Sequence, residues 1–200
     1  MNVNIERIQK AIQESINVAN ALQTDLVLLE SLENIIEELK LVYSSGGKLL
    51  IAGNGGSAAD AQHFAAEITC QYQLKRKGRP AIALSTDTSA LTEWSNDHSY
   101  DSVFARLVEA YGVFGDALVV ISTSGNSKNL IQATVTARAR GIKVFGLLGH
   151  AGGTLRGLCD VAIVVPSEET PRIQECHILI IHSICDTLDN FFHQEDFSKK

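Results

Sequence analysis

His63 and Glu67 stand four residues apart in the segment GNGGSAADAQHFAAE, residues 53–67. On a helix that spacing puts them about 40° apart, so an imidazole and a carboxylate share one face. Such a pair can ligate a divalent metal or pass a proton to and from a substrate, and it can equally be a solvated surface pair. The neighbourhood favours chemistry. Ala58, Ala59, Ala61, Ala65 and Ala66 make the segment small and suited to close packing, and a glycine loop precedes it. A second stretch, CHILIIHSIC, carries His177 and His182 shortly after Gln174. Gln174 and His182 lie about 80° apart and about 12 Å along one helix, so a second chain could supply one of them to a shared ion. His177 reads as a core imidazole satisfied by one hydrogen bond.

Two loops could hold an anion. In Gly53-Asn54-Gly55-Gly56-Ser57 three glycines allow the backbone to approach a ligand, and Ser57 with Asp60 can form a capping-box-like start to the following helix. In Ser122-Thr123-Ser124-Gly125-Asn126-Ser127 four hydroxyls precede another helix and can donate to a phosphate monoester. The alternative for each is a plain turn with a cap. Neither loop has the GxxxxGK[ST] pattern of a nucleotide P-loop. Gly53, Gly55 and Ala58 match GxGxxA, but the acidic residue that a dinucleotide site needs about 20 positions later is missing, Asp87 being the nearest after the second strand.

These groups need elements to hold them. Continuous apolar runs at Lys48–Gly53, Arg79–Ser85, Ala117–Ser122, Lys143–Leu148 and Val161–Pro166 read as strands buried on both faces. Helical segments at about 57–72, 99–112, 127–140 and 152–159 alternate with them, which predicts an α/β three-layer sandwich around a five-stranded parallel sheet. The last helix, about Pro171 to Phe192, has Thr170 as N-cap and proline at its first position. Two amphipathic helices over residues 5–22 and 25–43 form an N-terminal extension, about 1–45, of one domain spanning 1–200, packed on it or serving its oligomer interface. Asn96-Asp97 reads as an exposed polar pair before a helix near Ser99, Trp94 as packing, and Lys75, Arg76, Lys77 and Arg79 as a solvated rim.

Composition narrows the classes. With 45% hydrophobic and 20% charged residues the chain is globular, and 17 basic against 23 acidic side chains leave a net charge of −6. That balance argues against a nucleic-acid backbone as partner. Cys70, Cys159, Cys176 and Cys185 form no CxxC and read as small core residues of a reducing compartment. No apolar run approaches the roughly 18 residues of a membrane span, so the expected location is the cytoplasm.

Taken together, GNGGSAADAQHFAAE at 53–67, ND at 96–97, STSGNS at 122–127 and RIQECHILIIH at 172–182 resemble the phosphoheptose isomerase family of sugar isomerase (SIS) domains over nearly the whole chain. The resemblance implies a flavodoxin-like SIS fold and conversion of sedoheptulose 7-phosphate to D-glycero-D-manno-heptose 7-phosphate, toward the heptose of bacterial surface polysaccharides. It implies a cytoplasmic homotetramer with active sites between subunits and one zinc ion per subunit. Glu67 and His182 become the acid/base pair; the sequence leaves their order open, and we take His182 as the base and Glu67 as the acid. His63, Glu67, Gln174 and His182 become the metal ligands. Asn54, Gly55, Gly56, Ser57, Glu67, Asn96, Asp97, Ser122, Thr123, Ser124, Ser127 and Gln174 would line the substrate. A sister branch that binds a replication initiator, or a noncatalytic phosphosugar binder, shares both loops; the initiator-binding branch lacks the Glu and the second His. Gln71 stands where relatives place Arg and Pro171 where some have Asp, and both bear on substrate choice.

Overall fold

A computed structural model describes residues 3–197. Its strands are β1 (Leu49–Gly53), β2 (Ala81–Ala83), β3 (Ala117–Ser122), β4 (Lys143–Leu148) and β5 (Val161–Val164). They form one parallel sheet in the order β2-β1-β3-β4-β5. The helices are α1 (Val3–Thr24), α2 (Leu26–Ser44), α3 (Gly56–Thr69), α4 (Thr88–Asp97), α5 (Val103–Tyr111), α6 (Lys128–Ala139), α7 (Gly153–Arg156) and α8 (Thr170–Phe197).

Alternation along each apolar run feeds two cores. Leu49 and Ile51 of β1 with Val119 and Ile121 of β3 meet α2, α3 and α8 through Ile35, Leu39, Phe64, Ile181 and Leu188. Leu50, Ala52, Leu118 and Val120 meet α5 and α6 on the opposite face through Phe104, Val108, Leu130 and Ala133. Covering both faces is what lets these strands be apolar throughout, and it produces the expected three layers.

Several local expectations change. Residues 88–97 form α4, started by Asp87, whose side chain accepts from the Ala90 amide at 3.0 Å. Asn96 and Asp97 therefore close a helix rather than precede one. The helix expected over 99–112 is a 3-10 turn, Tyr100–Ser102, followed by α5. α3 ends at Thr69, α7 is a single turn, and β2 keeps three residues of its expected run. α8 includes Thr170, which lies in the first turn rather than capping it. Cys176 and Cys185 are buried, but Cys159 is partly exposed and Cys70 exposed, so only two of the four cysteines are core residues. Arg76 is not a rim residue: it is buried in an ion pair with Asp189.

α1 is fastened at its middle and open along its length. Arg172 of α8 donates to the Ala11 carbonyl at 3.0 Å, and Ser15 donates to Glu175 at 2.6 Å. Yet Leu22 is the one residue of α1 that is fully buried, while Ile5, Ile8, Ile12 and Ile16 keep 49%, 58%, 56% and 45% of their surface exposed. Among the described residues no helix is long and apolar enough to cross a membrane.

Candidate active site

The strand order reverses between β1 and β3, and in an open parallel sheet that switch point opens a crevice beyond the carboxyl ends of the strands. Both anion loops lie there. The glycine loop follows β1 and the serine loop follows β3. Asn54 joins them: it donates to Asn129 Oδ1 at 3.0 Å, and its own Oδ1 accepts from Asn129 Nδ2 at 2.9 Å and from the Tyr100 hydroxyl at 2.8 Å. The amide of Asn54 is thus committed to holding the loops side by side. Asn129 and Tyr100 went unnoticed in the sequence because neither belongs to a local pattern; their partner is 75 and 46 residues away.

In the glycine loop Gly55, at φ +55°, directly precedes α3, and the helix begins at Gly56 with no side-chain cap. The capping box expected of Ser57 does not form, and Ser57 is buried inside the first turn. Gly56 and Gly55 remain exposed at the helix start, where the Ser57 and Ala58 amides turn back to Asn54 O and Gly55 O at 3.0 and 3.1 Å, and the positive end of the helix favours an anion. In the serine loop Ser122 is buried and accepts from the Gly125 amide at 3.1 Å, and Ser124 accepts from the Asn126 amide at 3.2 Å. Ser122 lies 3.4 Å from Ser127, with either hydroxyl able to donate. Thr123 and Ser127 are partly exposed and Ser124 fully so. Gly125, at φ +65°, passes so close to Gly152 that a Cβ would sit 2.0 Å from its carbonyl oxygen, which fixes the loop against α7.

α3 and α8 run side by side in one direction. Gln174 lies against the start of α3, its Nε2 only 2.3 Å from where a Cβ on Gly56 would stand. About two turns on, His182 Nε2 is 2.9 Å from His63 Nε2, with the rings edge to face. His63 Nε2 is also 3.6 Å from Glu67 Oε1. One chain therefore supplies His63, Glu67 and His182 together and needs no second copy for that contact. Tyr72 closes one side, its ring 5.9 Å from that of His182. Glu67 is largely covered, with 22% of its side chain exposed. Burial and then the Glu67 charge push the Cys185 thiol on α8 up.

Asn96 and Asp97 are exposed and bonded to each other at 2.7 Å, with no hydrogen bond to either loop. Asp60, one turn before His63, has a buried Oδ2 without a partner, and burial raises its carboxyl above the ordinary range. His177 gives Leu148 O a contact at 3.1 Å through Nε2, but its Nδ1 is buried and unpartnered, so the core reading holds for one ring nitrogen. Gln71 and Pro171 are both exposed.

The sequence profile of the SIS domain matches residues 5–149. The phosphoheptose isomerase of Helicobacter pylori (strain Shi470) is 54% identical over 166 residues, 83% of this chain and 81% of the relative. The chain belongs to the phosphoheptose isomerase family of SIS domains. The phosphoheptose isomerase of Aliarcobacter butzleri (strain RM4018) is likewise 54% identical over 174 residues, covering 86% of this chain and 90% of that one. The solved phosphoheptose isomerase GmhA of Neisseria gonorrhoeae superposes with a TM-score of 0.88 at 44% identity, covering 94% and 100% of the two chains. That of Francisella tularensis gives 0.90 at 32% identity, covering 94% and 99%. The family's fold is the one described above, and its members are isomerases.

Whether the family's expected metal suits these side chains is a question of donors and spacing. Two imidazoles, a carboxylate and an amide oxygen are donors that zinc accepts. Among the described residues no group of three His, Cys, Asp or Glu side chains is spaced as a formed metal site. His63 and His182 are joined at 2.9 Å by a hydrogen bond, whereas ligand nitrogens on a tetrahedral zinc stand about 3.3 Å apart. Three of the four expected donors, His63, Glu67 and His182, meet in this structure, while Gln174 lies about two turns away, against the start of α3.

Proposed function

We propose that this chain isomerises sedoheptulose 7-phosphate to D-glycero-D-manno-heptose 7-phosphate in the cytoplasm, supplying heptose for surface polysaccharide. The observation that carries this reading is the meeting of His63, Glu67 and His182 on the α3/α8 seam, with α3 itself starting at the glycine loop of the switch point. Exchange between ketose and aldose needs a base to take a proton beside a carbonyl and an acid to return one at the adjoining carbon. In our reading His182 removes the first proton and Glu67 handles the second, with His63 fixing both side chains. Thr123, Ser124, Ser127 and the α3 start, with Ser122 shaping the turn beneath them, receive the phosphate. Gln174 and the Asn96-Asp97 pair address the sugar hydroxyls.

We further assign His63, Glu67, Gln174 and His182 as the holders of one zinc ion per subunit. When bound, zinc would supply positive charge beside the enediolate oxygens. The assembly in this reading is a homotetramer, supported by the open isoleucine stripe of α1 and by a cavity of about 370 Å³ on the α1/α8 face whose lining includes Ile16, Leu179 and His182. A second copy covering that face would reach the site directly. The noncatalytic initiator-binding alternative is disfavoured by the presence of both Glu67 and His182.

A product assay with sedoheptulose 7-phosphate tests the function, run on untreated and chelator-treated protein. Heptose phosphate should accumulate, and chelation should slow it by at least about tenfold. No product from metal-replete protein would refute the activity, and equal rates in both samples would refute the metal.

A further inference from the structure

The loop from α3 to β2 buries a full ion pair that the chemistry above does not use. Arg76 and Asp189 are each only 1% exposed at the side chain, and Arg76 Nε donates to Asp189 Oδ1 at 2.6 Å. The other guanidinium donors reach the end of α3, Glu67 O at 2.6 Å, Ile68 O at 2.9 Å and Cys70 O at 3.5 Å, and the loop itself at Lys77 O, 3.1 Å. Asp189 completes its shell with the amides of Gln73 at 2.9 Å and Leu74 at 2.5 Å. Burial alone would favour its neutral form, but the bonds from Leu74, Arg76 and Gln73 keep the carboxyl below the ordinary range, so the pair is ionic. Phe192 seals it, its ring centroid 5.3 Å from the guanidinium.

The position of this pair is specific. Arg76 grips the backbone of Glu67 itself, while Asp189 lies on α8 about two turns beyond His182. Apart from Gln174 against Gly56 and the His63–His182 bond, α3 and α8 touch through apolar side chains, which have no fixed bonding direction. A forked guanidinium bonded to four carbonyls and a carboxylate has fixed directions. We propose that Arg76 and Asp189 are positioning residues of the isomerase: they set the height of Glu67 on α3 against His182 on α8, and so the geometry of proton transfer. This rests on Glu67 and His182 being the acid/base pair.

The test compares Arg76→Lys, Asp189→Glu and Asp189→Asn with Asp116→Asn, measuring kcat and KM for sedoheptulose 7-phosphate and the melting temperature of each. Asp116 is an apt control, because it is equally buried and paired with Lys48 at 2.6 Å, but its side chain bonds only Lys48 and Val113 and touches neither α3 nor α8 by a hydrogen bond. All four variants should melt lower. Arg76→Lys and Asp189→Glu, which preserve charge and alter reach, should lose kcat by at least about tenfold with KM within about twofold, since misplacing reacting groups by about 1 Å is that costly. Asp116→Asn should keep its kcat. Should Arg76→Lys fail to fold, Asp189→Glu carries the same comparison. Unchanged kcat in folded Arg76→Lys or Asp189→Glu overturns the proposal. Glu67→Gln, assayed in parallel, separates the two layers: if it is inactive while the Arg76 and Asp189 variants are not, positioning alone is wrong. If it retains full turnover, the acid/base reading fails and the proposal with it.

Discussion

His63 touches both groups that the proposed chemistry uses, His182 at 2.9 Å and Glu67 at 3.6 Å, through one nitrogen. A contact between two imidazole nitrogens needs a proton on one of them, so one ring donates and the other accepts. His177 makes a different use of the same side chain. Burial, partly offset by the bond to Leu148 O, pushes its pKa down to about 4, against about 6.5 in an unfolded chain. Below pH 6.5 the unfolded chain binds a proton that the folded one refuses, so stability that is fully present above that pH is lost as pH falls toward 4. The loss amounts to roughly 3 kcal/mol. Denaturant titrations between pH 7 and 4 should show this fall, and His177→Gln, which keeps a donor for Leu148, should flatten it. An equal slope in both proteins would assign the effect elsewhere.

At the scale of elements, the register of α3 on α8 orders the site: Gly56 with Gln174, then His63 with His182, then the end of α3 with Asp189. Gly56→Ala probes the first step. Its Cβ would meet only the far end of the Gln174 side chain, which can swing away, so melting should change by less than about 1 kcal/mol equivalent while kcat/KM drops about tenfold. Calorimetry and steady-state kinetics on one preparation check both halves. The strands and the paired His63/Glu67 were legible because each follows from a local period. What could not be read locally depends on distant partners. Arg76 sits in a basic run that reads as solvated, and only Asp189, 113 positions away, explains its burial. α4 escaped notice because Ala90, Leu91 and Trp94 are only half-buried and give a weak stripe. That displaced Asn96-Asp97 from a loop to a helix end. Ser57 was misread as a cap because Gly55 takes the turn first.

For the whole molecule, the question is what covers α1. The stripe Ile5, Ile8, Ile12 and Ile16 continues into a groove of about 340 Å³ between α1, α2 and α8, lined in part by Leu28, Leu29 and Leu179. A contiguous apolar surface of this kind marks an interface. If the proposed tetramer is built on α1, Ile8→Lys with Ile12→Lys should reduce the sedimenting mass below that of the parent and lower activity with it; a variant that sediments like the parent would refute α1 as the assembly helix. In the proposed mechanism Glu67 and His182 carry protons between neighbouring carbons of the sugar. Turnover of sedoheptulose 7-phosphate in deuterium oxide, followed by mass spectrometry, tests it most directly. We expect the heptose product to gain solvent deuterium at carbon 2, with both incorporation and product lost in folded Glu67→Gln and His182→Ala. Product free of deuterium after many turnovers, or normal incorporation in either variant, would contradict it.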